Sequence, residues 1–331
     1  MKPALLLIIL LASGNMQCRS QKGKTMQQQN NPLLCDPKTG ICEIPGNAQT
    51  SGATGAVSTI EKPIKLIYFT DPICSSCWGI EPQLRKLKLE YGDNIEIDYR
   101  MGGLLPDWSY NSGGISKPSD VAHHWDEVSV YYDMPIDGDV WLEDPLPSSY
   151  PPSIAFKAAQ MQDHHKAIAF LRVIREMVFL QKKNITRWEN LGLAAQRVGL
   201  DTTQLKKDYE GNAKILFEED LKLAREWGVR GFPTMFFTDA AGQKMVVYGA
   251  KPYSAYQDAI KQLLPNLSPK SYPKDWAALF AAYPSLAAKE FSELTQIARP
   301  EAENLLEKLT SGGKLKKLVT KNGALWTLNQ R

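Results

Sequence analysis

The residue pattern with the clearest chemistry is Cys74 and Cys77, separated by two serines. Residues 64–70, ahead of the pair, are rich in β-branched and aromatic side chains, which predicts a strand. Residues 80–91, after it, carry apolar side chains at helical spacing. The pattern predicts strand, turn and helix. It places Cys74 at the helix N-terminus, where unpaired N–H groups and the helix dipole stabilise a thiolate.

Two cysteines at this spacing perform thiol–disulfide exchange without a cofactor. Cys74 is the predicted attacking sulfur, and Cys77, one turn deeper in the helix, is positioned to displace a mixed disulfide formed at Cys74. A zinc site would need a second Cys or His pair, and the chain contains only five Cys and four His. We therefore expect catalytic residues Cys74 and Cys77, no metal and no cofactor.

A second signal lies far downstream, where Phe232-Pro233 precedes the apolar residues 234–237. With this segment the chain resembles the DsbA-like part of the thioredoxin superfamily, and most closely its FrnE-like branch. The resemblance rests on four segments: residues 71–79, 148–152, 171–176 and 231–234.

This resemblance covers about residues 62–265 and implies an α/β thioredoxin fold with a large helical insertion. It also implies that Pro233 is cis and packs beside the Cys74 sulfur, while the backbone of Phe232 pairs with an extended substrate segment. Proline lacks an N–H, which leaves the strand edge beside it open. An extended substrate that adds to this edge binds through its backbone, so its affinity does not require a particular substrate sequence. We assign Trp78, which follows Cys77, to the same substrate site.

The chain also departs from the thioredoxin pattern. Tyr68 stands where such folds often carry a buried carboxylate, so the base for Cys77 is unassigned, and Asp71 is assigned to the turn with Pro72. The dipeptide between the cysteines lacks the histidine of strongly oxidising DsbA proteins. The predicted potential lies between about −270 and about −120 mV, which leaves oxidase, isomerase and reductase activity open.

Residues 1–17 are interpreted as an export signal. The apolar stretch Ala4–Ala12 is too short to span a bilayer as a helix. Either a signal peptidase cuts after the small residues 12–14, or Cys18 is acylated and anchors a lipoprotein to a membrane. Both of these predict a location in the periplasm or cell envelope. The remaining alternative is an uncleaved apolar tail on a cytosolic protein.

Residues 18–60 are interpreted as a flexible tether, because they are polar and almost without aromatic side chains. Within it, Cys35 and Cys42 flank a segment with Asp-Pro and Gly, which favours a tight turn and brings the two sulfurs within disulfide range. A structural disulfide is the favoured interpretation. The alternatives are a second redox pair that exchanges with the main site and two free thiols.

Residues 61–265 are assigned to the DsbA-like domain, and the insertion to about 104–226. Helical periodicity predicts insertion helices over 152–162, 165–180, 186–198 and 202–226. We expect the insertion to cover the active site and to contribute to a substrate surface. Its candidate aromatic residues are Trp125, Tyr131, Tyr132 and Trp141, although core packing is the favoured interpretation for each of them taken singly.

Residues 266–331 are assigned to a small C-terminal α+β module that resembles a winged helix. The pattern predicts helices over 285–296 and 300–310 and a hairpin over 315–328 turned by Asn322-Gly323. Several lysines in this module could contact phosphates. However, the net charge is only +3, from 39 basic and 36 acidic residues. We expect a protein-binding or dimerisation module and no nucleic-acid partner.

These features predict a thiol–disulfide oxidoreductase of the cell envelope. Its expected partners are cysteine-containing exported proteins and an envelope redox protein, with homodimerisation left open. The alternative is a non-catalytic adaptor that binds a protein partner, as some DsbA-like proteins do. Location and the effect of Cys74→Ser on partner binding distinguish the two.

Overall fold

The computed structural model describes residues 62–109 and 116–329, together with the backbone of 35–36 and 41–43. The proposed export signal, Cys18 and most of the tether lie outside the described residues. Within the tether, strands β1 (Cys35–Asp36) and β2 (Ile41–Glu43) form an antiparallel pair. A helix long and apolar enough to cross a bilayer is absent from the described part of the chain.

The redox motif lies between two parallel strands. Strand β3 (Ile64–Thr70) is followed by α1 (Ser75–Gly79) and α2 (Glu81–Tyr91), and β4 (Ile95–Met101) returns beside β3. The expected single helix is thus divided at Ile80. Pro82 explains the division, because proline lacks an N–H and fits only the first turn of a helix.

The insertion is helical, as its periodicity predicts. Its helices are α3 (Pro118–Tyr132), α4 (Val140–Glu143), α5 (Tyr150–Gln162), α6 (His164–Leu180), α7 (Trp188–Arg197), α8 (Thr202–Glu210) and α9 (Asn212–Glu226). The predicted helix over 202–226 is wrong in its middle, where Gly211 separates α8 from α9. Gly211 adopts φ −114° and ψ −115°, outside the helical region, which glycine does at low steric cost.

The chain then completes the thioredoxin sheet. After the short β5 (Gly231–Phe232) come β6 (Thr234–Asp239), β7 (Lys244–Tyr248) and α10 (Tyr253–Leu263). The four-stranded sheet has the order β4-β3-β6-β7, with β3 central. Because β3 is paired on both sides, the turn that follows Thr70 begins from a fixed position at the carboxyl end of this central strand.

The C-terminal module has its own sheet. Its elements are α11 (Trp276–Ala282), β8 (Ser285–Ala287), α12 (Ala288–Thr295), α13 (Arg299–Ser311), β9 (Leu315–Thr320) and β10 (Gly323–Leu328). The sheet order β8-β10-β9 agrees with the winged-helix-like interpretation. A second buried cluster, which includes Phe291 and Trp326, forms the core of this module.

Two local predictions in the module are corrected. Residues 285–287 form β8, because pairing with β10 overrides their helical pattern. The hairpin turn is Lys321-Asn322, since Gly323 already pairs with Thr320. Gly323 has φ 141°, a conformation that favours glycine.

Candidate active site

Asp71 organises the turn between β3 and α1, the candidate redox helix. Its Oδ1 accepts a hydrogen bond from Ile73 N at 3.0 Å, and its main-chain oxygen accepts one from Cys74 N at 3.2 Å. Its Oδ2 accepts from Leu104 N and Ser149 Oγ, both at 2.8 Å. The predicted role of Asp71 in the turn is confirmed. The carboxylate also ties this turn to the helical insertion.

Cys74 and Cys77 form a disulfide at the start of α1, with 5.2 Å between their Cα atoms. Cys74 is the N-cap residue, and its Sγ accepts a hydrogen bond from Cys77 N at 3.1 Å. An N–H group aimed at this sulfur stabilises a negative charge there when the disulfide is reduced. The geometry therefore favours Cys74 as the nucleophilic sulfur of a thiol–disulfide exchange.

Both sulfur-bearing residues are fully buried. The insertion contributes to this environment, because Ser76 Oγ and Tyr132 OH lie 3.0 Å apart. A Cβ on Gly79 would lie 2.4 Å from the Tyr132 ring, so only glycine fits there. Tyr132 therefore packs against the redox helix, as the expected covering role of the insertion requires.

The Phe232–Pro233 peptide bond is cis, as the resemblance implied. The Phe232 side chain is buried, and its ring occupies the space that a side chain on Gly102 would need. Gly102 N in turn donates to Thr70 O at 2.8 Å. The ring of Phe232 thus anchors β5 near the end of β3, and the backbone of β5 pairs with β2.

Trp78 lies in the core, as Cys74 and Phe232 do, and its assignment to the substrate site stays a prediction. It is fully buried, its Nε1 donates to Pro135 O at 2.9 Å, and its ring stacks on Phe179. Trp125 and Trp141 are core residues as well, whereas Tyr131 is exposed. The large apolar area of tryptophan explains this, because burying it against the insertion is more favourable than leaving it in water.

A buried charge network lies behind the redox helix. Arg175 Nη1 pairs with Glu81 Oε1 at 2.8 Å, and Arg175 Nη2 donates to Thr70 Oγ1 at 2.6 Å. Burial alone would raise the pKa of Glu81, but the guanidinium groups of Arg175, Arg172 and Arg85 hold it below its usual value. Glu81 is thus a carboxylate that fixes α2 to the insertion.

Sequence reasoning missed the role of this network. In the sequence, Arg172 and Arg175 belong to the segment 171–176, which carries part of the family resemblance. Their signal was present, because two arginines three residues apart interrupt an otherwise apolar helix face. Their carboxylate partners are remote in sequence, so only the tertiary structure identifies them.

Two side chains near the Cys74–Cys77 motif, Asp71 and Tyr68, have raised pKa values. Burial raises the pKa of Asp71 to about 6, against the opposing effect of its hydrogen bonds. Burial also raises the pKa of Tyr68, whose hydroxyl accepts a hydrogen bond from Thr70 Oγ1 at 3.1 Å. Tyr68 therefore stays protonated near neutral pH and cannot replace the missing carboxylate as a proton acceptor.

Comparison with known proteins agrees with this fold. The family model described as Thioredoxin matches residues 68–258. The structure of the cytosolic disulfide reductase DsbM from Pseudomonas aeruginosa superposes with a TM-score of 0.50 at 21% identity. The matched region covers 60% of this chain and 98% of DsbM. A protein from Nitrosomonas europaea superposes with a TM-score of 0.54 at 20% identity, covering 62% of this chain and 98% of its own.

Sequence relatives extend over more of the chain. A Halalkalibacterium halodurans protein named ClpXP adapter protein SpxH is 35% identical over 308 residues, which are 91% of this chain and 99% of that protein. A Bacillus subtilis protein of the same name is 29% identical over 271 residues, 80% of this chain and 89% of its own. The similarity to these relatives therefore reaches beyond the region shared with DsbM.

Proposed function

We propose that this chain, which belongs to the thioredoxin family, is a thiol–disulfide oxidoreductase that acts on cysteine-containing proteins through Cys74 and Cys77. The observation that carries the proposal is the Cys74–Cys77 disulfide at the N-terminus of α1, with Cys77 N directed at the Cys74 sulfur. The cis bond before Pro233 and the short strand β5 support binding of an extended substrate, which would pair with β5 in place of β2.

The proposed reaction is a pair of sulfur exchanges. In the oxidising direction, a substrate thiolate attacks Cys74, the Cys74–Cys77 bond breaks, and Cys77 leaves as a thiolate. A second substrate thiolate then attacks the substrate sulfur of this mixed disulfide. The substrate gains a disulfide, and Cys74 and Cys77 become thiols. In the reducing direction, Cys74 attacks a substrate disulfide and Cys77 resolves it.

We further propose that the enzyme acts on exported proteins in the cell envelope and is recycled by an envelope redox protein. The apolar stretch Ala4–Ala12 supports export, and Cys18 would provide a lipid anchor. Separation of cytosolic, envelope and membrane fractions tests this location. Labelling with a radioactive fatty acid, compared between the natural chain and Cys18→Ser, tests acylation.

The second candidate function is that of a protein-binding adaptor. It is favoured by the 35% identity to a protein named as a ClpXP adapter, over 91% of this chain. The C-terminal module also supports it, because residues 276–328 add a folded surface to the thioredoxin unit. An adaptor would bind its partner with Cys74 replaced, whereas the oxidoreductase would lose all turnover.

A trapping experiment separates the two functions. Cys77→Ser removes the resolving thiol, so mixed disulfides between Cys74 and substrate proteins should accumulate in cells and dissolve on reduction. Cys74→Ser is the matched control and should trap none. Turnover of a fluorescent dithiol peptide by the natural chain provides the second readout. Without trapped species and without turnover, the oxidoreductase proposal is wrong.

A further inference from the structure

The tether hairpin occupies the edge to which a substrate would bind. Strand β2 pairs antiparallel with β5, and Cys42 lies opposite Phe232, the residue before the cis-proline. The strands β1, β2 and β5 form a three-stranded sheet of their own. The chain therefore holds one of its own cysteines at the register position that an external substrate strand would take.

The hairpin also reaches the redox helix. Strand β2 contacts α1, which begins directly after Cys74 and contains Cys77. Cys74 has no exposed surface in this arrangement. An external protein therefore has no direct access to this sulfur, whereas Cys42 lies on the strand that pairs with β5 and contacts α1.

The second cysteine of the hairpin is placed to resolve an exchange at Cys42. Cys35 and Cys42 are directly opposite each other in the pair β1–β2. Opposite residues in antiparallel strands have Cα atoms about 4.5–5.5 Å apart, which lies within the range that a disulfide spans. Cys35 is one strand further from β5 than Cys42, or about 4.8 Å.

We propose that Cys35 and Cys42 form a second redox pair that exchanges with Cys74–Cys77 within the same chain. The inference rests on the proposed function and names a resident partner for that site. Because the hairpin belongs to the same chain, its effective concentration at the site is on the order of millimolar. An external thiol at a lower concentration competes poorly with it.

The exchange balances without a further reactant. The Cys42 thiolate attacks Cys74, the Cys74–Cys77 bond breaks, and Cys77 leaves as a thiolate and takes up a proton. The Cys35 thiolate then attacks Cys42, which forms the Cys35–Cys42 bond and releases Cys74 as a thiolate. Two hairpin thiols are oxidised, and the catalytic disulfide is reduced by two electrons. The reverse sequence transfers a disulfide back to the catalytic pair.

Paired trapping variants of the full chain test the order of attack, all with Cys18→Ser. The variant Cys35→Ser/Cys77→Ser keeps Cys42 and Cys74, and the matched control Cys42→Ser/Cys77→Ser keeps Cys35 and Cys74. Each is incubated at low concentration in a glutathione buffer, alkylated, digested and analysed by mass spectrometry. The Cys42–Cys74 link should exceed the Cys35–Cys74 link by about tenfold and should not depend on protein concentration.

Equal yields of the two links, or glutathione on Cys74 in place of either link, would overturn the inference. The variant Cys35→Ser/Cys42→Ser separates this failure from failure of the proposed function. If it turns over an external dithiol peptide while no hairpin link forms in the trapping variants, the oxidoreductase stands and the relay is wrong. If it and the natural chain both lack turnover, the proposed function itself fails.

Discussion

Arg172 of the insertion and Glu290 of the C-terminal module form a two-fold ion pair, with Nη1–Oε1 at 2.9 Å and Nη2–Oε2 at 3.0 Å. Glu290 is fully buried, and Arg85 Nε lies 3.1 Å from its Oε1. The Arg172 guanidinium also lies over the Trp78 ring, 4.3 Å from its centre. One arginine therefore connects the helix that carries the redox cysteines to the C-terminal module.

This relationship predicts that Glu290→Gln strongly destabilises the protein. The change leaves the buried Arg85 and the partly buried Arg172 without full charge compensation, and breaking a buried ion pair typically costs about 3–5 kcal/mol. The matched control is Glu293→Gln on the same helix. Glu293 pairs with Lys86 at 2.9 Å and is 24% exposed, so its loss should cost below about 1 kcal/mol. Urea denaturation measures both, and equal effects would contradict the assigned role of Glu290.

Asp71 predicts a specific pH dependence of stability. Its pKa is raised to about 6 by burial, against a usual value of 3.8. The folded state therefore holds the proton more tightly than the unfolded state. The stabilisation from this group is complete below pH 3.8 and is lost as the pH rises through about 6. The loss amounts to about 3 kcal/mol, at about 1.4 kcal/mol per pKa unit.

The variant Asp71→Asn should lack this contribution. The difference in unfolding free energy between the natural chain and the variant should therefore shrink as the pH rises from 4 to 7. Ser149→Ala provides a second test, because it keeps the Asp71 carboxyl group and changes its pKa. It removes the 2.8 Å hydrogen bond to Oδ2, so the pKa of Asp71 should rise further, which carboxyl NMR measures. A pKa near 4 in the natural chain would refute both expectations.

The tip of the β9–β10 hairpin contacts the insertion, and we expect these contacts to stabilise the hairpin. Lys321 Nζ lies 2.5 Å from Asp126 and 2.7 Å from Asp139, and Asn322 Nδ2 donates to Asp126 at 2.8 Å. Lys321→Met should raise hydrogen exchange in this hairpin by a few-fold, since a partly exposed pair contributes below about 1 kcal/mol. Lys316→Met, at an exposed position of β9, is the control and should change little. Identical exchange in the two variants would contradict docking through Lys321.

The sequence predicted an element correctly where interactions between residues close together in the chain decide its structure. The bounds of β3 agree with the sequence pattern, because an apolar and β-branched run of that length favours a strand. Cys74 at the N-terminus of the redox helix follows from the same reasoning. The sequence failed at residues 285–287, where pairing with a remote strand prevailed over local periodicity.

The sequence alone thus determined the local arrangement of the candidate site, which is two cysteines at the start of a helix after a buried strand. Only the tertiary structure decided which groups surround them. It placed Trp78 in the core, joined Glu81 to Arg175, and set Cys42 opposite Phe232. Those contacts join residues far apart in the chain, and their free energy depends on burial and strand register, which neither periodicity nor spacing encodes.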